Sequence, residues 1–309
     1  MPEIVVVGSI NIDLVIQVSR FPLPGETISG SDLKLIPGGK GANQAVACAR
    51  QKIPTGMIGK VGDDVFGVDL LDSLQENQVE TQGVKVEKNT STGCALIPVA
   101  ADGENSIILS PGANGMIRPE DIKAAVGLIK EAKIILLQLE IPLDTVLAAA
   151  LTARNLGLKV ILNPAPAADI PDELLRTADY LIPNQTELEM ISGKSVQDLP
   201  STQRAAASLM EKGVKNLIVT LGEEGALLIN QDHDLLIPGY PVQAVDTTAA
   251  GDSFIGGFAA SLIKNKTLPD AVDLANLCGA LAATRPGAQP SIPSLEELEK
   301  FKKSGKIAL

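Results

Sequence analysis

The chain has 309 residues, 45% of them hydrophobic, which is enough to bury one large α/β core and too apolar for a disordered chain. A formal net charge of −11, with no dense cluster of Lys and Arg, argues against a nucleic acid or an anionic membrane as partner. With no Trp and only 2% aromatic residues, a stacking platform for bases is not expected either.

The N-terminus runs directly into a buried strand, Ile4 to Val7, without a basic leader, and no apolar run is long enough to span a membrane. A cytoplasmic protein is expected. Helices are predicted near 41–51 and 64–77, and residues 12–36 and 91–110 read as strands and hairpin turns with no helix between them. From about residue 132 the pattern becomes regular. KIILLQLE, a helix from Leu143, KVILNPAP, a short helix from Pro171, DYLIPN, helices near Glu187 and from Ser201, and NLIVTLG follow one another. Short β-branched runs alternating with helices indicate βαβ units, so the fold class is α/β, a doubly wound and mainly parallel sheet flanked by helices. The two strand-rich inserts predict a small antiparallel β lid on a single domain spanning 1–309. A late helix over 268–284, the loop RPGAQPSIP and a charged last helix complete the chain. Cys48, Cys94 and Cys278 are far apart and lack any CxxC or His-rich neighbourhood, so they read as small core residues. His233, the only histidine, lies in the polar turn NQDHDL and is expected to be a dispensable surface residue.

Three phosphate-binding devices are absent. Lys40 is followed by Gly41 and no Gly stands at position 34, which excludes a Walker A loop; GKGANQ has Gln44 where a dinucleotide fingerprint needs Gly or Ala; no protein-kinase Gly-rich loop is present. A different device is written in VDTTAAGDSFIGGF, residues 245–258. After a strand-like approach, Ala249, Ala250 and Gly251 have little bulk, so backbone N–H groups at a helix start can approach a ligand closely. The free N–H groups and the positive helix end suit a phosphoryl group in transfer, with Asp252 beside it. The plainer alternative makes Asp252 a helix cap and Asp246 a turn cap. A cap does not need three small residues before it, whereas a base beside a transferring phosphoryl group does. The helix end should favour the ionised carboxylate and weaken it as a base, so position would matter more than basicity.

VDTTAAGDSF and PGGKGANQA (37–45) resemble the C-terminal and N-terminal signatures of the PfkB family of carbohydrate kinases, in the expected order. GSINIDLV, LLQLEIPLDTV, LNPAPA, PNQTELE, TLGEEGA and GAQPSIP extend the resemblance along nearly the whole chain, toward the ribose-phosphorylating members. It implies an enzyme that transfers phosphate from ATP to O5 of D-ribose with Mg²⁺, Asp252 as general base, and Ala249, Ala250 and Gly251 as the anion hole. A kinase of 2-deoxyribose, fructose or a nucleoside is the first alternative, and a sugar sensor without turnover the second.

Asn11 and Asp13, two apart in an extended stretch, point the same way and can grip neighbouring hydroxyls; a polar strand edge is the alternative. By resemblance Gly39, Lys40 and Asn43 contact the ribose and Glu140 completes the pocket, where a purely structural Gly-rich turn is the bland reading. The resemblance assigns Asn184 to the nucleotide phosphates, Glu187 to Mg²⁺ through water, Thr220, Gly222 and Gly225 to the flanks of the nucleotide, and Asn276 to its adenine side. Taken alone, Asn184 and Glu187 are an ordinary helix start and Asn276 an exposed helix residue. Asp246, Thr248, Ala282, Gly287 and Ser291 match positions that bind a monovalent cation, K⁺, in that family. A homodimer through the lid is also implied.

Overall fold

A computed structural model describes residues 1–304. The chain opens with β1 (Ile4–Val7), buried along its whole length. A strand covered on both faces reads as a continuous apolar run, here IVVV, rather than an alternating one. The chain then leaves the core through β2 (Asn11–Gln17) and β3 (Lys34–Gly38), and returns by α1 (Lys40–Arg50), β4 (Thr55–Gly62), α2 (Val65–Glu76) and β5 (Val79–Glu87). β6 (Gly93–Val99) and β7 (Ile108–Ser110) form a second excursion, followed by short α3 (Pro119–Ala124) and α4 (Val126–Ile129). The regular part is β8 (Ile134–Leu137), α5 (Leu143–Asn155), β9 (Lys159–Leu162), α6 (Asp172–Thr177), β10 (Tyr180–Leu181), α7 (Gln185–Ser192), α8 (Leu199–Glu211) and β11 (Leu217–Thr220). A hairpin, β12 (Gly225–Ile229) and β13 (Asp234–Pro238), precedes α9 (Ala250–Ile263), α10 (Leu268–Ala283) and α11 (Leu295–Ser304).

Nine strands form one sheet in the order β13-β12-β11-β10-β9-β8-β1-β4-β5. All run in one direction except β12, which pairs antiparallel with both β11 and the edge strand β13. Alternation along β1 divides the interior in two. Ile4 and Val6 join Ala45 of α1, Phe258 of α9 and Val272 of α10, whereas Val5 and Val7 join Ala149 of α5, Leu188 of α7 and Leu209 of α8. From β1 the chain builds outward through β4 and β5, then crosses back to place β8 on the other side of β1. That reversal opens a crevice at the carboxyl ends of β1 and β8, where open α/β sheets bind ligands.

The small sheet expected from the two inserts has the order β3-β2-β6-β7. Its outer pairs are antiparallel and its central pair, β2 with β6, is parallel. β1 and β5 belong to one parallel sheet and each runs directly into a lid strand, so both lid strands leave in the same direction. Sequence pattern gives no expectation for β4, β5 or the β12–β13 hairpin. Gly56, Gly59 and Gly62 dilute β4, and the same strand buries Lys60, which is neutralised by Glu87 at 2.7 Å and Asp121 at 3.2 Å. The three cysteines are free, Cys48 and Cys278 buried and Cys94 half-buried. His233 sits in the β12–β13 turn with its backbone N–H donated to Asn230 Oδ1 at 2.8 Å and lines neither of the cavities described below. Among the described residues no helix is long and apolar enough to cross a membrane.

Candidate active site

The crevice contains a cavity of about 430 Å³ between the carboxyl ends of the strands and the lid. Asn11 and Asp13 alternate along β2 and both line it. Asn114 donates to Asn11 Oδ1 at 2.7 Å and is itself fixed by the Ile10 backbone, so the Asn11 amide is turned with its N–H groups left for a ligand. The Asp13 carboxylate sits against Gly38, where a Cβ would overlap it. Gly39 starts α1 at φ 88°, and a Cβ there would lie 2.7 Å from the Asn11 backbone nitrogen. Glycine is therefore required at both positions, and the turn is not merely a flexible connection. Glu140 accepts from Ser9 Oγ at 2.5 Å and from the Lys40 backbone N–H at 3.0 Å. Burial would lower the Lys40 pKa, but Asp252, Glu140, Glu187 and Asp13 around the ammonium raise it overall. Ala95, Ile97 and Leu109 supply an apolar wall from the lid.

The other end of this cavity is the start of α9. The approach to it is not a strand, contrary to expectation: the Val245 and Asp246 N–H groups donate to Ala283 O at 2.8 and 3.2 Å, tying the loop to the end of α10. Ala249 is the N-cap residue, left-handed at φ 58° and without a side-chain cap bond. A Cβ on Gly251 would meet nothing within 4 Å, so the glycine leaves room for a ligand rather than for protein. The first-turn N–H groups of Gly251 and Asp252 have no helical carbonyl to reach. Asp252 does not cap the helix. Its Oδ2 accepts from Asn43 Nδ2 at 2.9 Å and its Oδ1 from Gln44 Nε2 at 3.0 Å. Burial raises its pKa, outweighing Lys40 and the two amides. The expectation that the helix end would dominate and weaken the base is thereby reversed, because desolvation penalises the charged form.

A second cavity of about 590 Å³ adjoins the first and shares Thr220, Thr247 and Gly251 with it. Ala250, Gly222, Gly225 and Asn276 line it, together with Tyr240 and Phe254. Asn276 is buried, not an exposed helix residue, and its Nδ2 donates to Ile237 O at 3.0 Å and Pro238 O at 3.1 Å. Asn184 and Glu187 form a reciprocal capping box on α7, each donating a backbone N–H to the other's side chain at 2.8 Å, and both line the first cavity. The capping role and cavity exposure coexist. Burial raises the Glu187 pKa against the Asn184 N–H and Lys40.

Asp246 gathers part of the expected cation set, accepting from Thr248 N at 2.9 Å and Gly287 N at 2.8 Å. Burial opposes its charge, but the bonds from Thr248 and Gly287 hold its pKa below the ordinary value. Ala282 lies in the last turn of α10 and accepts from Arg285 N, while Ser291 Oγ donates to Ala288 O at 2.8 Å. Among the described residues no group of three or more His, Cys, Asp or Glu could hold a metal ion, so a cation at this loop would depend on carbonyl oxygens beside Asp246. Gln44, Gln138, Asn163, Ser9 and Asn114 belong to the site's framework and were not singled out by the motifs as site residues. Gln44, Ser9, Gln138 and Asn163 stand inside GKGANQ, GSINIDLV, LLQLEIPLDTV and LNPAPA, and only Asn114 lies outside these motifs.

A polar cavity rich in carboxylates, a second cavity beside it, and a buried aspartate at the helix start between them define a site built to move a charged group between two small molecules. The chain belongs to the pfkB family of carbohydrate kinases, whose profile it matches over residues 1–295. It is 40% identical to a ribokinase of Haemophilus influenzae, over 96% of this chain and 97% of that protein. It is 39% identical to a deoxyribokinase of Salmonella typhimurium, over 97% and 98% of the two chains. Its fold is similar to that of Arabidopsis thaliana ribokinase complexed with ribose and ATP, with a TM-score of 0.90 and 34% identity over 98% of this chain and 99% of that one.

Proposed function

We propose that this chain transfers the γ-phosphate of ATP to O5 of D-ribose, giving D-ribose 5-phosphate and ADP, and that residues 1–309 act as one kinase unit with the two inserts as its lid. The observation that carries the proposal is Asp252, buried at the start of α9 where the two cavities meet. The sugar occupies the first cavity, held by Asn11, Asp13, Gly39, Lys40, Asn43 and Glu140. ATP occupies the second, with Asn276, Gly222 and Gly225 at its base and ribose, and with Thr220 and Asn184 toward its phosphates. Asp252 takes the proton from O5 as that oxygen attacks phosphorus, and the bond to the leaving ADP oxygen breaks. The N–H groups of Ala249, Gly251 and Asp252 face the charge that spreads over the transferred group, while that of Ala250 is bonded to Thr247 O at 3.1 Å and would have to leave it to join them. Mg²⁺ would neutralise the phosphates, held through water near Glu187, whose position on the wall of the first cavity fits an ion that keeps most of its own waters. K⁺ would sit at Asp246, Thr248, Ala282, Gly287 and Ser291 and stiffen the loop leading to the anion hole. ATP and free sugar meet in the cytoplasm, where we place the enzyme.

The relatives include a deoxyribokinase, so 2-deoxyribose is the second reading. Asn11 and Asp13 offer a donor and an acceptor side by side, which suits adjacent hydroxyls and favours ribose. A site that spends buried polar groups on a hydroxyl rejects the analogue without it, so kcat/KM for D-ribose should exceed that for 2-deoxy-D-ribose by about 10-fold or more. Equal values, measured by ADP release with and without K⁺, would return the choice to deoxyribose; an unchanged rate on removing K⁺ would dismiss the cation site.

Asp13 makes sugar binding pH-dependent. Burial, then the charges of Glu140 and Asp252, push its pKa up to about 7 against the pull of Lys40. Its ionised form accepts two hydroxyls, and below that pKa protons compete with the sugar. The sugar KM should therefore rise as the pH falls from about 8 to about 6. A flat KM over that range would show that Asp13 does not accept sugar hydroxyls in its charged form.

One face of the lid also supports a homodimer. The register Leu35–Leu14–Leu96–Ile108 runs across all four strands, and Leu35, Leu96 and Ile108 are exposed, opposite the Asp13–Ala95–Leu109 row that faces the sugar cavity. Sedimentation should give a dimer for the native chain and a monomer for Leu96→Lys; a native monomer would discard the lid interface.

A further inference from the structure

Gln44 stands in the α1 motif but lines neither cavity, and it is fully buried. Its Nε2 donates to Asp252 Oδ1 at 3.0 Å and to Asn163 Oδ1 at 3.2 Å, and its Oε1 accepts from Gln138 Nε2 at 2.5 Å. Gln138 is also fully buried, directly after β8, and its Oε1 has no hydrogen-bond partner. One constraint explains the whole orientation. An ionised carboxylate only accepts, so Gln44 must turn its nitrogen to Asp252 and its oxygen to Gln138. Gln138 must then present nitrogen, and its own oxygen is left stranded. A buried carbonyl oxygen without a donor is unfavourable to folding and is uncommon in native interiors. Stability alone would not retain this pair of amides.

We infer that Gln44 is a positioning residue for Asp252, locked in its turn by Gln138, and that the two hold the base's carboxylate in one rotation with its remaining lone pairs toward the sugar hydroxyl. The inference rests on the proposal that Asp252 is the base. Asn43 holds the second oxygen at 2.9 Å from the cavity side, so Gln44 supplies the contact from within the protein. Neither glutamine lines a cavity; Gln44 reaches the site through Asp252 at 3.0 Å and, by a longer bond of 3.2 Å, through Asn163 on the wall of the first cavity. A carboxylate free to rotate would lose alignment with O5, and small misplacements of a reacting group cost up to about 100-fold in rate.

The test compares the full-length native chain with Gln44→Leu, Gln138→Leu and Asp252→Asn, measuring kcat, sugar KM, the acidic limb of the pH–rate profile and Tm. Gln44→Leu should lower kcat about 10- to 100-fold with the sugar KM within about 2-fold. Its acidic limb should move to higher pH, because the carboxylate loses a donor that favours its charged form. Lys40, Glu140, Asp13 and Glu187, the charged groups facing Asp252, are the same in all variants. A shift of the limb therefore reports the lost amide. Gln138→Leu exchanges one stranded oxygen, Gln138 Oε1, for another, Gln44 Oε1, so its Tm should stay near the native value while kcat falls in the same direction; this variant decides the matter if Gln44→Leu does not fold. Native kcat and an unmoved limb in the glutamine variants, with Asp252→Asn inactive, would overturn the positioning role and leave the base. Native turnover in Asp252→Asn would remove the base and this inference with it.

Discussion

Asp252→Asn is expected to lose roughly 10²- to 10⁴-fold or more in kcat while binding the sugar almost as well as the native chain. The asparagine keeps the size, its oxygen can accept from Gln44 and its NH2 can donate to Asn43 Oδ1 once that amide turns over, but it cannot take the proton from the attacking hydroxyl. Desolvation makes the loss larger than it would be for a solvated carboxylate, since the buried group has a raised pKa and is a stronger base. A change made only in the protonation chemistry should leave KM for sugar near its native value. Near-normal turnover would remove Asp252 as the base.

The second large effect is expected at Asp13. Asp13→Ala removes the carboxylate proposed to accept two sugar hydroxyls, and hydrogen bonds to a charged group are worth about 1.5–3 kcal/mol each, so kcat/KM for the sugar should fall about 10²- to 10⁴-fold. KM for ATP should stay unchanged, because Asp13 lines only the first cavity. The fold should not suffer. A buried carboxylate beside Glu140 and Asp252 is unfavourable to the folded state when ionised, so at a pH above its pKa of about 7 the variant should have an equal or higher Tm. Loss of Tm in parallel with activity, or an unchanged sugar KM, would move the hydroxyl contacts elsewhere.

The fold class was legible because β1, β8, β9 and β11 are short apolar runs separated by helices with clear ends. β4 and β5 were not, since their glycines and Lys60 disguise strands whose burial is imposed by neighbours far along the chain. The same remoteness hid the parallel pairing of β2 with β6. Motifs picked out residues that sit together in a turn and that the fold brings to the cavity walls: Gly39 and Lys40 at the start of α1, and Ala249 to Asp252 at the start of α9. They missed the amides that orient these groups, because Gln44, Gln138 and Asn163 come from three separate elements and only folding unites them. The strand expected before Asp246 failed for a related reason, as that loop is tied to the end of α10 rather than to a sheet. Asn184 and Glu187 show the limit of choosing between a structural and a functional reading, for they form a capping box and line the cavity together.

The most direct test of the central claim is ADP release from MgATP on adding D-ribose, with Asp252→Asn as the blank and the product's phosphorylated position read by NMR. Turnover that requires ribose, yields the 5-phosphate and vanishes in the variant is the expected result. Ribose that binds without any ADP release would contradict it and leave a sugar-sensing protein in its place.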